Sequence, residues 1–114
     1  MEDSALRYAW TMRLRPHCAD AYITRHRNIA PEMRATLNRA GYRNYSIFRH
    51  GDLLIRYFEC DDLDRMKQVL AADEAAANWR ASMAELVENT PNPQTGFLPL
   101  MVPVFHHAGS DVSR

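Results

Sequence analysis

Tyr22 and His26 stand four residues apart in a stretch of helical periodicity, so both project from one face. An imidazole exchanges protons near neutral pH, and a neighbouring phenol can orient it or donate a hydrogen bond. That pairing suits proton transfer on a small molecule. Ile29 and Met33 continue the same stripe, so this face looks inward, where a phenol and an imidazole need partners. Trp79 adds an aromatic face on a later helical stretch, and Asn44-Tyr45 add an amide and a second phenol on a strand. Aromatic faces with a few polar donors fit a small sugar, whose C–H faces stack while its hydroxyls are hydrogen-bonded. On the residues alone, a satisfied core histidine is the simpler reading of His26, and core packing is an equal reading of Trp79.

The remaining chemistry-bearing residues read as structural. His106-His107 are adjacent, and on a strand adjacent side chains leave opposite faces, which makes a poor chelate. Cys18 and Cys60 read as small apolar residues. Glu59 at a strand end reads as a partner for Arg56 or Arg49, and Glu32 as a carboxylate favoured by a helix dipole. The glycines Gly41, Gly51, Gly96 and Gly109 are scattered, so neither a dinucleotide fingerprint nor a P-loop exists. No G-x-S-x-G elbow or Cys-x-x-Cys pair is present. The expectation is a protein that uses no metal and no cofactor.

The elements that must position these residues follow from periodicity. Leu6, Tyr8, Trp10, Met12 and Leu14 alternate with polar or small residues, a strand with one apolar face. Tyr22, His26, Ile29, Met33 and Leu37 then recur at helical spacing. Pro31 lies inside that stripe, so two helical pieces are expected, broken near Asn28 and reopened by Pro31-Glu32, with Gly41 as the final cap. Tyr42–Arg49 and Leu53–Glu59 flank the turn His50-Gly51-Asp52 as a β-hairpin. Helix returns from Asp61 or Asp62 to about residue 89, in two stripes, and Thr90-Pro91-Asn92-Pro93 ends it. Leu98, Leu100, Val102 and Val104 alternate as a last strand, with Pro99 and Pro103 inside it suiting only an edge or bulge. The order β-α-β-β-α-β predicts an α+β, ferredoxin-like fold with a four-stranded antiparallel sheet and helices on one face. Large apolar groups on both faces of the hairpin predict a second copy against the open face, a homodimer.

With 114 residues, the chain reads as one domain, 1–114, with a core of about 6–107 and a tail at 108–114. Hydrophobic residues make up 46% and charged residues 25%, which excludes a disordered chain. Fourteen basic residues balance fourteen acidic ones, so nucleic acid and anionic membrane surfaces are not expected partners. No apolar run reaches the roughly 18 residues of a membrane span, the start MEDSALRYAW lacks the basic and apolar regions of a secretion signal, and two cysteines are too few for a disulfide scaffold. A cytoplasmic location is the expectation.

Four short stretches carry a resemblance. Tyr22-Ile-Thr-Arg-His26-Arg-Asn28-Ile-Ala-Pro31-Glu32, Asn44-Tyr45-Ser46-Ile47-Phe48, Asp52-Leu-Leu-Ile-Arg-Tyr-Phe-Glu59 and Val104-Phe105 are similar, in that order, to motifs of the L-rhamnose mutarotase family. The resemblance spans about Leu6 to His107 and implies that family's dimeric α+β barrel. It implies that His26 is the catalytic proton donor, that Tyr22 and Tyr45 contact the sugar, and that Trp79 is the first of a Trp-Trp pair lining the pocket. Arg80 stands at the second position of that pair, bringing a guanidinium to the substrate, and Ala30 stands where the family often has Trp. Tyr42-Arg-Asn-Tyr-Ser-Ile-Phe is also similar to relatives assigned to L-fucose. The implied activity is cofactor-independent interconversion of the α and β anomers of L-rhamnose or a related 6-deoxyhexose such as L-fucose. Two other readings stand beside it on the same scaffold: a cofactorless monooxygenase or haem-degrading enzyme, and a non-catalytic small-molecule-binding dimer.

Overall fold

The computed structural model describes residues 6–109; residues 1–5 and 110–114, including most of the expected tail, lie outside the described residues. The first strand, β1 (Leu6–Arg13), alternates as its sequence predicts, with Trp10 and Met12 buried and Thr11 and Arg13 exposed. It pairs antiparallel with β3 (Leu53–Cys60), which in turn pairs antiparallel with β2 (Arg43–His50), giving the order β1-β3-β2.

The first helical region breaks where the sequence indicates, whereas the second, expected to run to about residue 89, divides at Asp73 and ends at Ala84. Helix α1 (Ala19–Arg27) ends at Asn28, and α2 (Pro31–Ala40) opens on Pro31, whose missing N–H is not needed in a first turn. Gly41, at φ 90°, closes α2 in the left-handed conformation that a side chain disfavours. Asp62 caps α3 (Leu63–Ala72) by accepting the Arg65 N–H, and Asp73 caps α4 (Glu74–Ala84) by accepting the Ala76 N–H. Asp73 also joins α2 to α4, since the fully buried Thr36 hydroxyl donates to it at 2.6 Å and Arg39 forms an ion pair with it.

All these helices lie on one face of the sheet and bury two apolar clusters against it. Trp10, Met33, Phe58, Met66, Leu70 and Phe97 make the first. Met12, Leu14, Tyr22, Leu54, Met83 and Val87 make the second. Burying each large side chain contributes roughly 1.5–3 kcal/mol. Among the described residues no helix is long and apolar enough to cross a membrane.

The sheet corrects one expectation, because it has three strands and not four among the described residues. The segment from Leu98 to Val104 forms no strand. Pro99 and Pro103 have no N–H to give a ladder, and contact with β1 is through the Met101 N–H, which donates to the Ala9 carbonyl at 2.7 Å. Beyond it Val102, Val104 and Phe105 are exposed. The end of β1 is closed instead by the isolated bridge of Leu14 with Val87.

Candidate active site

The inward side chains of β3 run Leu54, Arg56, Phe58, so a guanidinium interrupts an apolar row between the two clusters. Its Cα partner on β1 is Trp10, and the guanidinium carbon lies 5.8 Å from the Trp10 ring centroid. On β2 the pairing shifts between Arg43 and Ser46, so Asn44 and Tyr45 together oppose Phe58, a β-bulge. Asn44 sits at φ 49°, a left-handed conformation that asparagine tolerates better than most residues. Alternation with Ile47, the Cα partner of Arg56, keeps Tyr45 on the helix side, and there it stacks on Tyr42, before the bulge, at 4.7 Å between ring centroids.

Where Arg56 parts the clusters, a cavity of about 530 Å³ opens, within the usual range for a small-molecule site. His26 of α1 and Trp79 and Arg80 of α4 face Trp10, Tyr45 and Arg56 of the sheet across it. Ile29, Met33, Leu37 and Leu70 supply an apolar wall. Gly96, in the loop after α4, lets that loop approach Arg80: a Cβ there would stand 3.0 Å from the Arg80 side chain. Arg80 also donates to the Leu70 carbonyl at 3.3 Å, while Glu85 and Asp73 are taken by Arg25 and Arg39.

His26 is held on three sides. Its Nδ1 lies 2.9 Å from the Tyr22 carbonyl, an acceptor only, so Nδ1 carries the hydrogen and the neutral ring has its lone pair on Nε2. The Tyr22 ring lies 4.3 Å from the imidazole and the Trp79 ring meets it edge-on at 4.9 Å. Burial pushes the imidazole below its ordinary value; the Tyr22 carbonyl opposes that shift and the Arg56 cation adds to it. His26 is therefore neutral at pH 7. Burial raises the Tyr45 phenol, against the influence of Arg56, so Tyr45 stays protonated and able to donate. Arg56 binds the two phenols directly, with Nη1 donating to Tyr45 at 2.8 Å and Nη2 to Tyr22 at 3.0 Å.

Of the residues singled out in the sequence, His26, Tyr45, Trp79 and Arg80 meet at the cavity. Tyr22 is 3% exposed and lies behind His26, outside the cavity lining, supporting the imidazole from below. The Asn44 amide turns to the other side of the sheet and donates to Glu59. Spacing and motifs do not mark Arg56, Trp10 or Tyr42 as site residues, yet all three line the cavity. Arg56 did leave a signal, since it falls in phase with Leu54 and Phe58 where alternation calls for an apolar residue. Among the described residues no three His, Cys, Asp or Glu side chains gather as metal ligands would.

Comparison with known proteins gives the family. Residues 7–107 match the family described as L-rhamnose mutarotase. An L-rhamnose mutarotase of Ligilactobacillus salivarius is 36% identical over 108 residues, covering 89% of this chain and 96% of its own. One from Sinorhizobium medicae is 35% identical over 102 residues, covering 88% and 96%. The crystal structure of an L-rhamnose mutarotase from Formosa agariphila superposes with a TM-score of 0.72 at 27% identity, covering 90% of this chain and 98% of that one. The chain belongs to the L-rhamnose mutarotase family and is, with it, an anomer-interconverting isomerase.

Proposed function

We propose that the cavity beside His26 is the active site, and that its substrate is a 6-deoxyhexose, either L-rhamnose or a relative such as L-fucose. The observation that carries this is the neutral His26, fixed by the Tyr22 carbonyl and set between Trp79 and the donors of the sheet. Anomer exchange requires the anomeric hydroxyl to lose a proton and the ring oxygen to gain one. Nε2 takes the proton from the anomeric hydroxyl, C1=O forms, and the C1–O5 bond breaks. The resulting imidazolium is then the proton donor to O5, giving the open aldehyde. After rotation about C1–C2 the same steps run backwards on the other carbonyl face. One positioned acid-base group typically contributes about 10²–10⁴-fold, a useful factor for a reaction that water already supports slowly. Trp79 supplies a face for the sugar's C–H bonds, Tyr45 and Arg80 supply donors, and the Ile29, Met33 and Leu37 wall suits a C6 methyl.

The working unit in this reading is a single-domain chain paired with a second copy in the manner of a dimeric α+β barrel. Phe48, at 63% exposed, lies on the open sheet face, and the exposed Val102, Val104 and Phe105 extend past the unfilled edge of β1. A second copy covers both. Cys18 and Cys60 are free thiols, which suits the reducing cytoplasm. Sedimentation at micromolar concentration tests the pairing, and a monomer there overturns it.

Saturation-transfer NMR on the anomeric protons of L-rhamnose, L-fucose and D-glucose tests the reaction. Transfer between α and β signals in one 6-deoxy sugar identifies the substrate. Absence of transfer in all three overturns the reading, and a rise in thermal midpoint with sugar but no transfer marks a binding module.

A further inference from the structure

Arg56 is an expensive residue for this fold. Its guanidinium is flanked by Trp10 and Tyr45, and its Nε is a buried donor with no hydrogen-bond partner. No carboxylate among the described residues forms an ion pair with it, whereas Arg25, Arg39 and Arg43 each have one. A half-buried cation on a cavity wall without a counter-charge costs a fold stability, and an apolar side chain of similar length would cost less. What the guanidinium does achieve is geometric. One arm reaches Tyr22, the support beneath His26, and the other reaches Tyr45, on the cavity wall.

We propose that Arg56 is the positioning residue for anomer exchange, locking Tyr22 and Tyr45 at fixed places and turning both phenols into donors toward their other neighbours. The step is one of hydrogen-bond accounting. A phenol oxygen that accepts from a guanidinium directs its own O–H elsewhere. For Tyr45 that leaves the cavity, and hence a sugar oxygen. Because Tyr22 also carries the carbonyl that holds His26 Nδ1, the same clamp fixes the imidazole. The cation has a second consequence, since it opposes formation of the imidazolium and helps keep His26 able to accept a proton. The other charged or titratable groups around the cavity are Tyr42, Arg80, Arg15 and Glu88, with Tyr22 beneath the imidazole. Arg56 is the charged one bonded to both the phenol behind His26 and the phenol on the cavity wall.

This rests on the reading of the cavity as a sugar site, and the test separates the two. Arg56→Met and Arg56→Lys are compared with the unaltered protein by anomer exchange, thermal midpoint, and NMR titration of the His26 and Tyr ring signals. In Arg56→Met, exchange falls on the order of 10²-fold, as expected for lost alignment. The thermal midpoint holds or rises, and His26 titrates at higher pH. Arg56→Lys keeps the charge but reaches at most one phenol, so the His26 titration stays in place while exchange still falls and the Tyr22 and Tyr45 Cζ signals move. Unaltered exchange in both variants overturns the proposal. So does a His26 titration unmoved by Arg56→Met, or a thermal midpoint that collapses there. If the unaltered protein exchanges no sugar, the mutarotase reading of the cavity fails, and the His26 titration and Tyr signals still decide whether Arg56 positions these groups.

Discussion

At the junction of α2 and α4, Arg39 donates to the Asp73 carboxylate, which also accepts from the Thr36 hydroxyl and the Ala76 N–H. At the middle of the sheet, Arg56 donates to two phenols and has no carboxylate partner among the described residues. The first arrangement satisfies every partner it gathers and ties two helices together. The second leaves a charge uncompensated and a donor unpaired, and it sits where His26, Tyr45 and Trp79 converge. On the proposed reading, a charge kept without a counter-ion beside groups suited to proton transfer belongs to a place shaped for chemistry rather than for holding the fold.

The comparison breaks most visibly at His26. His26→Ala lowers anomer exchange by about 10²–10⁴-fold, the contribution of one acid-base group. The thermal midpoint changes little, because the imidazole faces the cavity and takes no part in the Asp73 clasp that joins α2 to α4. The pH profile of the unaltered protein carries the same point. In the proposed mechanism the neutral imidazole takes the first proton, and its affinity is depressed by burial and by Arg56. Exchange therefore persists through the ordinary histidine range and declines only as pH falls through the lower value, below about 6.5. A decline already complete near pH 7 counts against His26 as the base, as does undiminished exchange in His26→Ala.

Asp73→Ala makes the opposite pattern. Removing the cap and its link to Thr36 and Arg39 costs about 2 kcal/mol in urea unfolding at pH 7, while exchange per folded molecule is unchanged. The Thr36 hydroxyl and Ala76 N–H hold the Asp73 carboxyl below the usual carboxylate range, with Arg39 adding to the shift. A depressed folded value means the clasp contributes fully above the unfolded value near 4 and loses that contribution as pH falls through the folded one. The Ala variant lacks this part of the acid limb. A loss of exchange larger than the loss of folded protein would show that clasp and cavity are not separate.

Much of this division is legible in the residues. Pro31, Gly41 and Asp62 fix helix boundaries because each acts locally, through a missing N–H, a positive φ or a side-chain cap. His26, Tyr45 and Trp79 converge because helical spacing and strand alternation determine which face a side chain takes, and Arg80, named through the resemblance, joins them at the cavity. What periodicity does not report is depth. Tyr22 shares a stripe with His26 yet ends up 3% exposed behind it. Arg56 reads from sequence as a partner for Glu59, but alternation sends the two to opposite faces, and Glu59 accepts from Tyr57 and Asn44 instead. The last strand failed because alternation of Leu98, Leu100, Val102 and Val104 gives a pattern of faces, whereas a ladder needs N–H groups that Pro99 and Pro103 lack.

Asn44 offers the finest probe of the line between the two regions, because it belongs to neither and sets the geometry of one. Its backbone lies at φ 49° in the bulge between Tyr42 and Tyr45, the stacked pair at the cavity wall, and its amide donates to Glu59 on the exposed side. Asn44→Gly removes a surface hydrogen bond worth little and relieves the backbone, so stability and exchange stay close to those of the unaltered protein. Asn44→Val keeps a side chain but resists the left-handed conformation, at about 1 kcal/mol. The chain recovers part of that by straightening the bulge, which slides Tyr42 and Arg43 along β3 and takes the Tyr42 ring from its stack on Tyr45 at the cavity wall. Val therefore raises the KM for sugar several-fold more than its stability loss explains, while Gly does not. Equal kinetics in the two variants would mean that the bulge is an accident of the strand and that Tyr42 keeps its stack on Tyr45 without it.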